Sequence, residues 1–312
     1  MNPHRLGKRI STALLCASLA AIGCGGGSGD GGGTDTPNPP PPPSGGSCSG
    51  GDTLLYVVSS LGAGVPTTDG RVPGFDVDQR TSDASDGETC NQPDYVSPPP
   101  ESRAGVDNQL GPIVASFDFQ DEVETLFDAA IEDGSLLLLV EISHVQSVTD
   151  DDCVTVAFLN GFFPPGIGDP IIGADGQLAP GQLIDIDQSF LDASGNPLYQ
   201  VANARIAGGV VDTGHTSITP TYTVGGTAAP ITFNQLAVRL DGDHARAGVI
   251  GGSFEIETVA AIIGPQLGSL EPFVLPALRS KADLARDAGG TCQSLSAGLV
   301  FSAVSAVAGE VR

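Results

Sequence analysis

From residue 182 onward the chain is a succession of short apolar segments broken by Gly, Asn and Asp. This pattern limits the fold class more than any other feature. The segments 182–190, 198–206, 216–224, 230–240 and 245–253 read as strands. Asp192-Ala193-Ser194-Gly195-Asn196 supplies turn chemistry between the first two. Leu295 to Ala308 is rich in small residues and poor in charge, which places it centrally in a sheet. Upstream, Leu54 to Val58 and Leu136 to Ile142 are apolar runs of strand length, and Gly74–Asp78 reads as a short strand. Cys153 to Leu159 alternates, with Val154, Val156 and Phe158 on one face, and the polar Thr149–Asp152 turn makes a hairpin with the preceding strand.

Three segments have helical periodicity. In 119–133, Val123, Leu126, Phe127, Ala130 and Ile131 fall on one face. Asp118 is placed to cap its start, acids fill its first turn, and Gly134 ends it. Ile256, Val259, Ala260 and Ile263 mark a second helix, and 272–286, with Pro272 in its first turn, a third. The expected fold is therefore α+β and mainly antiparallel β, a sandwich-like or rolled sheet with about three amphipathic helices. No internal repeat is visible.

The N-terminus carries a different kind of information. Arg5, Lys8 and Arg9 precede a 14-residue apolar run, Ile10 to Gly23, which is too short to span a bilayer. The run ends at Ala21-Ile22-Gly23-Cys24. This resembles the signal of a bacterial lipoprotein, with Ala21 where the motif more often has Leu. The resemblance covers residues 1–24. It implies cleavage before Cys24 and acyl chains on that cysteine; two or three chains anchor stably, at about 0.8 kcal/mol per buried methylene. Gly25 after the cysteine implies an outer-membrane, cell-envelope location. Residues 25–51 hold almost no apolar side chain and read as a disordered tether, stiffened at Pro39–Pro43, with an end-to-end distance of roughly 28 Å. Residues 52–312 are expected to form one globular β-rich domain.

The composition excludes several partners. Removing residues 1–23 takes away Arg5, Lys8 and Arg9 and no acid, so the net charge moves from −24 to −27. Such a chain repels nucleic acid and anionic headgroups, leaving the lipid on Cys24 as its contact with the membrane and an envelope or extracellular ligand as its partner. There is no Trp and only four Tyr, which counts against a sugar-stacking module. Four cysteines remain beyond Cys16 and Cys24: Cys48, Cys90, Cys153 and Cys292. In an exported chain they read as two disulfides with three possible connectivities, of which Cys48–Cys292 with Cys90–Cys153 is favoured. No pair has zinc-ligand spacing.

The candidate site is acidic. Gly74-Phe75-Asp76-Val77-Asp78 is followed by Asp83, Asp86 and Asp94, then by Gly105-Val106-Asp107-Asn108. Asp76 and Asp78, two apart on an extended segment, point the same way. Together with Asp107 and Asn108 they offer the hard oxygen ligands that calcium requires. The spacing is not that of an EF-hand, since Arg80 and Thr81 stand where a ligand and the glycine belong. The competing reading has these side chains capping turns. With Cys90, the segment resembles bacterial surface lipoproteins of unknown function, which implies no activity.

Catalytic motifs are absent. His144, His215 and His244 sit in no H-E-x-x-H, and no G-x-S-x-G occurs. Glycine pairs such as Gly208-Gly209 and Gly251-Gly252 form no phosphate-binding loop and read as bulges or turns. The expectation is a cell-envelope lipoprotein with a non-catalytic binding or structural domain stabilised by calcium. The alternative is a secreted hydrolase using a carboxylate pair or a bound metal.

Overall fold

A computed structural model describes residues 48–166, 170–224, 226–265 and 271–312. In chain order the elements are β1 (Asp52–Ala63), β2 (Tyr95–Val96), β3 (Ala104–Val106), α1 (Leu110–Ser116), α2 (Gln120–Glu132), β4 (Leu138–Val145), β5 (Asp151–Phe162) and β6 (Gln182–Ile186). They continue with β7 (Gln200–Ala207), β8 (Val210–Asp212), β9 (Thr221–Val224), β10 (Thr227–Asp241), β11 (His244–Glu255), α3 (Ile256–Ile263), α4 (Glu271–Ser280), β12 (Leu284–Arg286) and β13 (Cys292–Val311). The fold is α+β and mainly antiparallel, as expected. Eleven strands form one sheet, and β2 and β3 a small second one.

The large sheet rolls up on itself. Each of β1, β4, β5, β7, β8, β10, β11 and β13 pairs antiparallel with the next, and β13 returns to β1. Closure removes the open edges through which a strand protein aggregates. The 20-residue β13 is central: its middle lies between β1 and β11, and its end pairs in parallel with β6. α1, α2 and α3 pack apolar faces against one end of the roll. Leu126 and Phe127 of α2, Ile262 and Ile263 of α3, and Leu61, Phe233 and Ile250 of the strands enclose an apolar cavity of about 60 Å³.

Local departures from expectation have simple causes. Asp118 does not cap α2: it takes a left-handed backbone conformation (φ 56°), and Phe119 stands at the N-cap without a side-chain bond. Gly134 does end the helix, at φ 77°. A separate helix, α1, precedes α2. The 272–286 helix stops at Ser280, and Leu284–Arg286 instead pairs with the start of β13. The ordered chain also begins before Asp52: Cys48 is already bonded into the fold, and a side chain at Gly51 would strike the His144 backbone. Residues 1–47, with the signal and Cys24, lie outside the described residues.

The disulfides are Cys48–Cys153 and Cys90–Cys292, not the favoured pairing. β1 decides this. Cys48 precedes its first residue, beside the end of β4, where Asp52 pairs with Val145 and the β5 hairpin follows. Cys292 starts β13, whose Leu299 pairs with Ala63 at the far end of β1. Twelve residues of strand, roughly 40 Å, separate the two ends. The loops closed span 105 and 202 residues, and each bridge alone would stabilise the fold by roughly 5 kcal/mol through loop entropy. Two disulfides are the mark of an oxidising, exported environment. No helix among the described residues is long and apolar enough to cross a membrane.

Candidate metal centre

Between β1 and α1 the chain makes a long excursion over the outer face of the roll. Glycines determine where it can lie. Gly251 of β11 pairs with Gly298 of β13, and the Gly64 amide donates to the Gly298 carbonyl at 2.7 Å. A Cβ on Gly251 would come within 2.8 Å of the Phe75 ring, and one on Gly298 would overlap the Pro73 carbonyl. The Pro73–Phe75 backbone therefore lies directly on a patch with no side chains. Cys90, just after a 3₁₀ turn at Gly87–Thr89, ties the far side of the excursion to Cys292.

Two segments of the excursion meet at the centre. Phe75 and Asp107 form an antiparallel bridge, with the Asp107 amide donating to the Phe75 carbonyl at 2.9 Å. The bridge places the carboxylates of Asp76, Asp78 and Asp107 together, one oxygen of each within 4.8 Å of the others. Backbone amides orient all three carboxylates. Asp107 Oδ2 accepts from the Val77 and Asp78 amides at 2.7 and 3.1 Å. Asp76 Oδ1 and Asp78 Oδ1 both accept from the Arg80 amide, at 2.9 and 3.0 Å. Gly105, at φ 80°, passes close by; a Cβ there would sit 3.4 Å from Asp76 Oδ2.

The electrostatics are unfavourable for carboxylates alone. Burial, followed by the charges of Asp78 and Asp94, pushes Asp107 up to about 9. Burial also raises Asp76, Asp78 and Asp94 above the ordinary carboxyl range. Asp94, whose Oδ2 accepts from the Ser82 amide at 2.6 Å, adds its charge to the burial that raises Asp107. Arg80 relieves the centre only in part: its guanidinium pairs with Asp86 at 2.9 Å, and its charge lowers Asp78 and Asp94 less than burial raises them. A divalent ion bound 2.3–2.6 Å from each oxygen bridges ligands roughly 4.8 Å apart. An all-carboxylate donor set suits a hard cation such as calcium or magnesium and not zinc.

Of the four candidate ligands, the structure brings Asp76, Asp78 and Asp107 together, while the Asn108 amide is engaged with the backbone. The Asn108 side chain is fully buried and its amide is committed elsewhere. Its Nδ2 donates to the Gly64 and Pro73 carbonyls at 2.8 and 2.7 Å, and its Oδ1 accepts from the Gly111 amide at 2.9 Å. It fastens the excursion to the end of β1 and the start of α1. Two further acids lie within electrostatic reach of the cluster. Asp94 belongs to the acidic run but carries no spacing signal. Asp283, 4 % exposed, comes from the segment before β12, far along the chain. Burial, with Asp78's charge adding, raises it to about 7, and its Oδ1 accepts from the Ser296 amide at 2.8 Å. Ser296 Oγ in turn accepts from the Gln109 amide, which links Asp283 to the Asp107 segment.

The histidines lie apart from this centre and from one another. His144 is on β4 with Nδ1 3.3 Å from the Gly50 carbonyl, His215 follows β8, and His244 opens β11. Among the described residues none hydrogen-bonds a carboxylate side chain or a serine hydroxyl. No protein-family model, curated protein or solved structure matches the chain.

Proposed function

We propose that this is an exported, lipid-anchored cell-envelope protein whose β-rich domain serves a binding or structural role, not a catalytic one, and whose acidic centre takes calcium. The observation that carries the reading is the convergence of Asp76, Asp78 and Asp107, one carboxylate oxygen of each within 4.8 Å of the others and each carboxylate oriented by backbone amides. A cation there would offset the charge of one buried and two half-buried carboxylates, which Arg80, paired to Asp86, only partly relieves. Calcium there would draw the Phe75–Asp78 and Gly105–Asp107 segments together and fix the excursion on the sheet. It would keep that surface rigid outside the cell, where calcium is plentiful and cytosolic chaperones are absent. The disulfides support export, and the lipobox-like Ala21–Cys24 supports anchoring.

The test is thermal unfolding of the metal-stripped protein with and without millimolar calcium. At a concentration 100-fold above Kd, calcium stabilises by about 2.7 kcal/mol, a rise in Tm of roughly 5–10 °C for a domain of this size. Asp76→Asn with Asp78→Asn should abolish the rise. An unchanged Tm in the native sequence would reduce these loops to ordinary turns.

A further inference from the structure

A second feature lies on the same outer face and is independent of the cation. A groove of about 780 Å³ crosses the roll, within the size range of small-molecule sites. Its floor follows one row of register partners across five strands: Gly62 of β1, Val300 of β13, Val249 of β11, Ala237 of β10 and Asp212 of β8. Four strand spacings make this row roughly 19 Å long. The middle is aliphatic and half-buried, and each end is acidic. Asp212 forms one end; at the other, the Glu124 side chain of α2 lies against Gly62, 3.4 Å from where a Cβ would stand. Glu101, Asp128 and Asp175 add to the walls. Among the described residues none of these five carboxylates is in an ion pair. The groove also carries Arg103 and Arg239, and the Arg239 guanidinium is turned to the Gly208 carbonyl at 3.1 Å.

We infer that this groove binds a long aliphatic polyamine, its terminal ammonium groups at Glu124 and Asp212 and its methylenes over Ala237, Val249 and Val300. Charge complementarity selects a cation, and the apolar floor between the acids selects one with hydrocarbon spacers. The floor disfavours a peptide. Val300, Val249 and Ala237 belong to strands hydrogen-bonded on both sides, so the surface offers side chains and no free backbone groups. An extended peptide lying across them would leave its own amides and carbonyls without partners. A polyamine has none to satisfy between its nitrogens.

The experiment is calorimetric titration of spermine into the full chain at low ionic strength with calcium present. One saturable site is expected. Glu124→Gln with Asp212→Asn, which keeps the shapes and the Asp212 contacts to Gly214 and Gln235, should weaken it about tenfold or more. Val300→Lys, which puts a competing ammonium in the middle of the floor, should do the same at an unchanged Tm. Asp152→Asn with Glu271→Gln, two exposed acids elsewhere, should leave the affinity intact. Equal weakening by that control pair would reduce the binding to general attraction by a polyanion and overturn the inference. So would putrescine binding as tightly as spermine, because a short diamine cannot span the row. A lysine-rich peptide that outcompetes spermine and is lost in the same variants would reassign the groove to a polypeptide.

Discussion

The ring of Phe75 lies on Gly251, so close that a single added carbon on the glycine would come within 2.8 Å of it. The acidic centre is thus positioned by an absence of side chains on strands that supply none of its ligands. Gly298→Val tests this. Its side chain would displace the Pro73 backbone and the Asn108 amide, costing about 1–3 kcal/mol through overpacking. Calcium binding should fall in parallel although every carboxylate remains. Calorimetric titration with calcium beside a melting curve measures both, and retained affinity would mean that the excursion seats itself without the glycine patch.

The pH dependence of the metal-stripped protein should run opposite to that of most acidic domains. Asp107 and Asp283 have folded pKa values, about 9 and about 7, above their unfolded values near 4. A raised acid favours the folded state fully only below its unfolded value, and that stability is lost as pH rises through the folded one. Tm without calcium should therefore decline from pH 5 through pH 9. For Asp283 alone the loss amounts to roughly 4 kcal/mol. Calcium should flatten the profile, since it competes with protons for Asp107. Asp283→Asn should raise Tm above pH 7 without calcium, while keeping an acceptor for the Ser296 amide. A flat profile in metal-stripped protein would show that the centre is not under electrostatic load.

The two disulfides should be separable in their effects. Cys90–Cys292 holds the excursion that carries the centre, whereas Cys48–Cys153 ties the start of β1 to β5. Cys90→Ser with Cys292→Ser should weaken calcium binding and raise amide exchange across residues 64–109. Cys48→Ser with Cys153→Ser should lower Tm by a comparable amount and leave calcium affinity unchanged. Peptide mapping without reduction checks the pairing directly.

What was legible in the sequence were features set by neighbours along the chain. Period-2 alternation at Val154, Val156 and Phe158 and helical periodicity from Val123 to Ile131 mark elements that exist. The expected strand Gly74–Asp78 reduces to a single bridge at Phe75, and a bend through 77–79 brings Asp76 and Asp78 onto the same Arg80 amide. What stayed hidden depends on which distant strands meet. Closure of the roll rests on β1 meeting β13 some 240 residues later, and no local pattern encodes that. The same pairing decides the disulfides and aligns Gly62 with Val300. Asn108 is hidden for another reason: a Gly-x-Asp-Asn segment offers two oxygen-bearing side chains, and only the hydrogen bonds of the fold separate Asp107, beside Asp76 and Asp78, from Asn108, which binds the backbone. β8, three residues long, is too short to carry a period.

That distinction yields the sharpest test. Asn108→Ala removes two donors from the buried Gly64 and Pro73 carbonyls and an acceptor from the Gly111 amide. Each buried group left unpaired costs about 1–3 kcal/mol, so the fold should lose several kcal/mol with or without calcium. Asp76→Asn keeps its Oδ1 acceptor for the Arg80 amide and removes one negative charge from a crowded centre. Without calcium it should be neutral or stabilising; with calcium it should lose most of the calcium-dependent rise in Tm. The signature is therefore a crossover: Asn108→Ala melts lower in both conditions, Asp76→Asn only in calcium. Parallel losses in both variants would place Asp76 among the structural turn residues and leave the centre without a metal.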